Sequence, residues 1–132
     1  MLYRIFYFTL FLSLSVACST KSPHYFQSRG RNITSQLVEE LEEVHDLEDL
    51  IEALPRLQRL FDELTDVMIE ARKWQIKEGV LWDPSDEDVS LSGALCDECT
   101  RIFTIPAARD LVEKSQERAL ERLDAFETKL KK

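Results

Sequence analysis

The stretch SQLVEELEEVHDLEDLIEAL, residues 35–54, decides the fold that the sequence predicts. Apolar residues recur in it every three or four positions, which is the spacing of one face of an α-helix. This apolar stripe consists of Leu37, Leu41, Val44, Leu47, Ile51 and Leu54. The stretch also holds eight acidic residues and no Lys or Arg. Because like charges three or four positions apart destabilise an isolated helix, the helix depends on burying its stripe.

The apolar pattern continues beyond Pro55, since Phe61 and Met68 keep the register of the stripe. We therefore predict one long helix over residues 35–78, kinked at the proline, rather than two helices joined by a loop. Gly79 is predicted to end this helix, because glycine readily adopts the left-handed conformation of a helix C-terminus.

Two shorter helical patterns follow. Ser85, which precedes three acids, is a predicted N-cap for a short helix that reaches about Phe103. A last helix is predicted to begin at residues 104–106 and to end near Leu130, because Thr104 can cap a helix and Pro106 is tolerated in its first turn. Three Gly and four Pro in 132 residues favour helices over sheets. We predict an all-α protein, a small helical bundle built on one long Pro-kinked helix with a shorter helix and a C-terminal helix packed against it.

The first eighteen residues, MLYRIFYFTLFLSLSVAC, have the pattern of an export signal. They contain one Arg, an apolar run from Ile5 to Leu14, and small residues before a cysteine. The run is half as long as the roughly twenty residues that a transmembrane helix needs. We therefore expect residues 1–17 to be a cleaved signal peptide.

The end of this signal, Val16-Ala17-Cys18, resembles the lipobox of bacterial lipoproteins. In that family the cysteine is acylated and becomes the new N-terminus, so the resemblance implies a membrane anchor of acyl chains on Cys18. Ser19 after the cysteine implies the outer rather than the inner membrane of the bacterial cell envelope. Ser15 stands where the family usually has Leu. The same residues also fit plain secretion with an unmodified Cys18, or an uncleaved anchor.

The remaining chain divides into a predicted tether and one domain. Residues 18–34 have no apolar period and contain Pro23 and Gly30, so we predict a flexible tether that starts at the acylated Cys18. Residues 35–132 then form a single helical domain. After signal removal the chain has 25 acids against 16 bases. Such a charge repels phosphate backbones, so we expect no nucleic-acid partner.

Cys96-Asp97-Glu98-Cys99 is the only motif with chemical specificity. Two thiols three positions apart share one helix face, where they can form a disulfide, bridge to another chain, or be buried as small side chains. A reactive thiol needs a stabilised thiolate, which flanking acids oppose. Thiol/disulfide activity through Cys96 and Cys99 is therefore the alternative function.

His45 lies at helical spacing from Glu42 and Asp49, which is one quarter of the ligand set of a di-metal helical bundle. No second copy of this arrangement follows, so we predict no metal site. We likewise find no catalytic residues, no cofactor motif and no small-molecule substrate site in the sequence.

The function predicted from these patterns is a non-enzymatic, lipid-anchored envelope protein that binds another protein or itself, or serves as a structural module. A helix over residues 35–78 would be about 66 Å long, too long for the two remaining helices to cover. The stripe Leu37, Leu41, Val44, Leu47, Ile51 and Leu54 is therefore expected to stay partly open as a partner-binding surface.

Overall fold

A computed structural model describes residues 22–81 and 83–132. These residues contain four α-helices and no strand. The helices are α1 (Pro23–Glu42), α2 (Leu47–Glu78), α3 (Asp86–Ile102) and α4 (Ala108–Leu130). The predicted all-α bundle is confirmed. The signal peptide and Cys18 lie outside the described residues and stay predictions.

The break between the first two helices lies at residues 43–46, inside the stretch for which we predict one continuous helix over residues 35–78, so that prediction is wrong at this point. Asp46 has an extended backbone, and its carboxylate accepts a hydrogen bond from the Asp49 N–H at 2.9 Å. The Asp49 carboxylate in turn accepts the N–H of His45 at 3.0 Å. These reciprocal hydrogen bonds satisfy free N–H groups at the start of α2, so a new helix begins here.

Pro55, which has no N–H to donate, lies inside α2 on its solvent-exposed side. The partner of that N–H would be the carbonyl of Ile51, a residue that is 52% exposed. Water can hydrate this carbonyl, whereas Leu50 and Leu57 elsewhere on the helix are fully buried. The predicted continuation of the helix past Pro55 is confirmed, and buried side chains before and after the proline favour it.

The segment 23–34 forms the first three turns of α1, so the predicted flexible tether over residues 18–34 is wrong for this part. Pro23 occupies the start of the helix, where a residue without an N–H fits. Phe26 and Ile33 are only 3% and 4% exposed. These two apolar residues are seven positions apart, too sparse to show a helical period. The helical domain thus begins at Pro23, twelve residues earlier than predicted.

Other helix boundaries follow the predicted signals. Gly79 ends α2 with φ 64°, in the left-handed region. Ser85 caps α3 and forms a capping box with Asp88. The start of α4 differs, because its N-cap is Ala107 with φ 68°, and Thr104 instead donates its hydroxyl hydrogen to the Arg101 carbonyl.

The helix order across the bundle is α3, α1, α2, α4. α1 and α2 are antiparallel. The ring centroids of Phe26 and Trp74 are 6.2 Å apart at one end, and at the other end Arg56 Nε donates a hydrogen bond to the Glu40 carboxylate at 2.8 Å. α3 runs parallel to α1, and α4 runs parallel to α2. The shared core includes the fully buried Leu37, Leu41, Leu50, Leu57, Ile102, Ala108 and Val112.

This arrangement gives the bundle two distinct ends. At the entry end, α1 and α3 begin while α2 and α4 finish. Lys73 near the end of α2 lies 5.8 Å from the ring centroid of Phe126, which places the last turns of α4 there as well. At the turn end, residues 43–46 join α1 to α2 and residues 103–107 join α3 to α4.

Candidate interaction surfaces

The apolar stripe is part of the core, so the prediction that it stays open is wrong. Leu37 and Leu41 are fully buried and Val44 is 1% exposed. Leu47 and Leu54 are partly buried against the same core. The break at residues 43–46 folds the two halves of the stripe against each other, which the predicted single long helix could not do. Only Ile51 remains exposed.

Arg101 at the end of α3 connects that helix to the end of α1. Its two terminal nitrogens donate to the carbonyls of Val44 at 2.8 Å and Leu41 at 2.7 Å. Its Nε donates to Glu98 at 2.9 Å. The guanidinium thus gives a partner to the Val44 carbonyl and a further one to the Leu41 carbonyl, which also accepts the Val44 N–H at 3.1 Å. Local sequence patterns gave no sign of this contact, since the partners are about sixty residues apart.

Arg31 joins α1 to the start of α3 at the opposite end. Its guanidinium donates to the carboxylates of Asp88 at 2.6 Å and Glu87 at 3.1 Å, and to the Ser85 hydroxyl at 3.3 Å. The Arg31 hydrogen bond, with the Ser85 N–H, lowers the pKa of Asp88 below its ordinary value. The acid is therefore held ionised as both a helix cap and an ion-pair partner.

The turn end carries a dense set of exposed carboxylates, which we call the acidic surface. Its members are Glu39, Glu42, Glu43, Asp46, Glu48 and Glu52. Of these members, Asp46 also accepts the Asp49 N–H. The two other acids of the stretch are engaged as well, because Glu40 pairs with Arg56 and Asp49 accepts the N–H of His45. Ile51, which lies between Glu48 and Glu52 in the sequence of α2, has half of its surface exposed. The surface therefore combines strong negative charge with one apolar contact point.

The two thiols lie on α3, as the sequence predicted, and both are free. Cys96 is exposed and Cys99 is half-buried. Burial, together with the neighbouring Cys96 and Glu98, raises the pKa of the Cys99 thiol. A raised pKa reduces the thiolate fraction, so this environment disfavours nucleophilic or exchange chemistry at Cys99.

His45 lies at the start of α2 rather than in a helix interior. Its Nδ1 is 2.9 Å from the Glu43 carbonyl and 3.6 Å from the Asp49 carboxylate. Within residues 22–81 and 83–132, no group of three or more His, Cys, Asp or Glu side chains could hold a metal ion. The ring therefore takes part in local contacts of the turn.

None of the four helices is both long enough and apolar enough to cross a membrane. Comparisons of the chain with protein-family models, with curated proteins and with solved structures find no match.

Proposed function

We propose that this chain is a non-enzymatic lipoprotein of the bacterial envelope, held at the outer membrane by acyl chains on Cys18. The helical domain binds another protein through the acidic surface. The anchor is supported by the leader of residues 1–17 and its lipobox-like end, Val16-Ala17-Cys18. Acylation makes a domain membrane-bound without any spanning helix.

The observation that carries the binding proposal is the position of the acidic surface. It lies at the turn end, whereas the chain enters the domain at Pro23. α1 has 20 residues, so these two points are about 30 Å apart along the bundle. A domain anchored through its N-terminus would therefore hold the acidic surface away from the membrane, where a partner can reach it.

The partner that fits this surface is a protein segment rich in Lys and Arg. Exposed carboxylates at Glu48 and Glu52 attract such a segment over long range, and Ile51 between them offers an apolar contact. Two copies of the same acidic surface would repel each other. A basic partner is therefore favoured over self-association through this end of the bundle.

Reversing charge at the acidic surface tests the proposal. A photocrosslinker at Ile51 in the full-length protein should capture a basic envelope protein in cells. The double variant Glu48→Lys/Glu52→Lys should reduce capture about tenfold, because it replaces attraction with repulsion at the contact. The captured protein is identified by mass spectrometry, and circular dichroism verifies that the variant remains folded.

The matched control is Glu117→Lys/Glu121→Lys, which makes the same charge change at the same spacing on the exposed face of α4. Capture should be unchanged in this variant. Equal losses in both variants, or a captured partner that is itself acidic, would contradict the proposal.

A further inference from the structure

We infer that the entry end of the bundle is a lipid-contact surface, which rests in the headgroup layer of the membrane that holds Cys18. This inference depends on the proposed lipid anchor. It adds that the domain has a fixed orientation, with one end against the membrane and the acidic surface pointing away from it.

The first support is the distribution of exposed apolar side chains. Eight large ones are exposed in the described part of the chain, and five of these lie at the entry end. The five are Ile76, Val80, Leu81, Val89 and Leu130. Leu81, just beyond the end of α2, is 80% exposed, the largest value among them. Apolar side chains concentrated at one end of an amphipathic domain are suited to the boundary between headgroups and acyl chains.

Charge at the same end is the second support. The last turns of α2 and α4, residues 72–78 and 127–132, contain six basic residues and two acidic ones. The bases are Arg72, Lys73, Lys77, Lys129, Lys131 and Lys132. Each basic residue close to an anionic leaflet adds about 1 kcal/mol of attraction. Four acids lie nearby, namely Asp83, Asp86, Glu87 and Asp88. Arg31 forms ion pairs with Glu87 and Asp88.

The third support is the short distance between the anchor and the domain. Helix α1 begins at Pro23, so only four residues separate it from Cys18. Even fully extended, this link spans about 18 Å. The entry end therefore stays close to the interface whenever Cys18 is acylated. A long tether over residues 18–34 would have imposed no such restriction.

The opposite end reinforces this orientation through repulsion. The stretch 35–54 has eight acids and no Lys or Arg, so an anionic leaflet repels the turn end while it attracts the last turns of α2 and α4. Because an anionic leaflet attracts the entry end and repels the turn end, its electric field aligns the bundle in one direction.

Site-directed labels measure this orientation in the full-length, acylated protein. Leu81→Cys and its matched control Leu120→Cys are each made with Cys96→Ser and Cys99→Ser, so that a nitroxide label attaches at one position. Both leucines are exposed, but Leu120 lies ten residues before the end of α4, about 15 Å from the entry end. The proteins are reconstituted in vesicles of phosphatidylethanolamine and phosphatidylglycerol.

The label at position 81 should lie about 5–10 Å below the headgroups in a spin-label depth measurement. The label at position 120 should remain in the aqueous phase. Equal aqueous exposure of both labels in acylated, vesicle-bound protein would overturn the lipid contact and leave the anchor intact. A mature chain without acyl groups on Cys18 would overturn the anchor and this inference together.

Discussion

Arg101 illustrates how a single side chain from another helix fixes where α1 ends. The carbonyls of Leu41 and Val44 lie at the C-terminus of that helix, and both accept hydrogen bonds from the guanidinium. A positive charge at this position also interacts favourably with the negative end of the helix dipole. One residue thereby joins α3 to the turn between α1 and α2.

Replacing this residue tests its contribution. We expect Arg101→Met to lower the free energy of unfolding by about 1–2 kcal/mol, because two charge-assisted hydrogen bonds to backbone carbonyls are lost. Urea denaturation followed by circular dichroism measures the change.

Arg59→Met is the matched control for that substitution. Arg59 makes an exposed ion pair with Glu63 on the same helix, at 3.8 Å. Such a pair contributes only a few tenths of a kcal/mol, about 0.3–0.5. If the two substitutions were equally destabilising, the proposed role of Arg101 at the end of α1 would be wrong.

The pairing of α1 with α2 is the element on which the core depends. Leu41 is fully buried between the helices, whereas Ile51 of the same apolar stripe is 52% exposed. Membership of the stripe therefore does not determine burial. The face of its helix on which each side chain lies does, because Leu50 and Leu57 follow the same break as Ile51 and are fully buried.

Because Leu41 is buried and Ile51 is exposed, we expect truncation to alanine to lower the free energy of unfolding far more at position 41 than at position 51. Leu41→Ala should lower the free energy of unfolding by about 2–5 kcal/mol, since it removes buried methyl groups and leaves a cavity. Ile51→Ala should change it by less than about 0.5 kcal/mol, because its side chain is largely solvated. Comparable effects in urea denaturation of both variants would contradict the observed packing.

The sequence predicted those helix boundaries that depend on adjacent residues. Gly79 ends α2 and Ser85 begins α3, because a left-handed glycine and a hydroxyl cap act within one turn of chain. The break near Asp46 is not predicted, because the apolar period of the stretch continues through residues 43–46 without a glycine or proline. The burial of Leu50 and Leu57 on either side of Pro55 offsets the cost of a proline inside a helix, and such burial depends on packing with other helices rather than on adjacent residues.

The candidate surface was predicted less well than the fold. The acidic residues of the stretch 35–54 were identified, but the apolar stripe was assigned to a partner when it forms the core. The pairing of α1 with α2, together with the end of α3, decides this point, because Leu41, Leu50 and Ile102 are fully buried in one core. The partners of the stripe are distant in the sequence, so local patterns do not reveal them.

The whole molecule has an acidic end and an end where bases and exposed apolar side chains collect. Residues 35–54 supply the acidic end, and the last turns of α2 and α4 supply the basic one. An anchor at Cys18 would attach the second end to the membrane and direct the first end outwards. The proposed binding function and the proposed membrane contact then follow from one orientation.

The most direct test of this account is the mass of the mature N-terminus, determined on the protein purified from a bacterial envelope. The account predicts a chain that begins at Cys18 and carries acyl chains on that residue. A chain that retains Met1, or one cleaved near the same position with a bare Cys18 thiol, would contradict it.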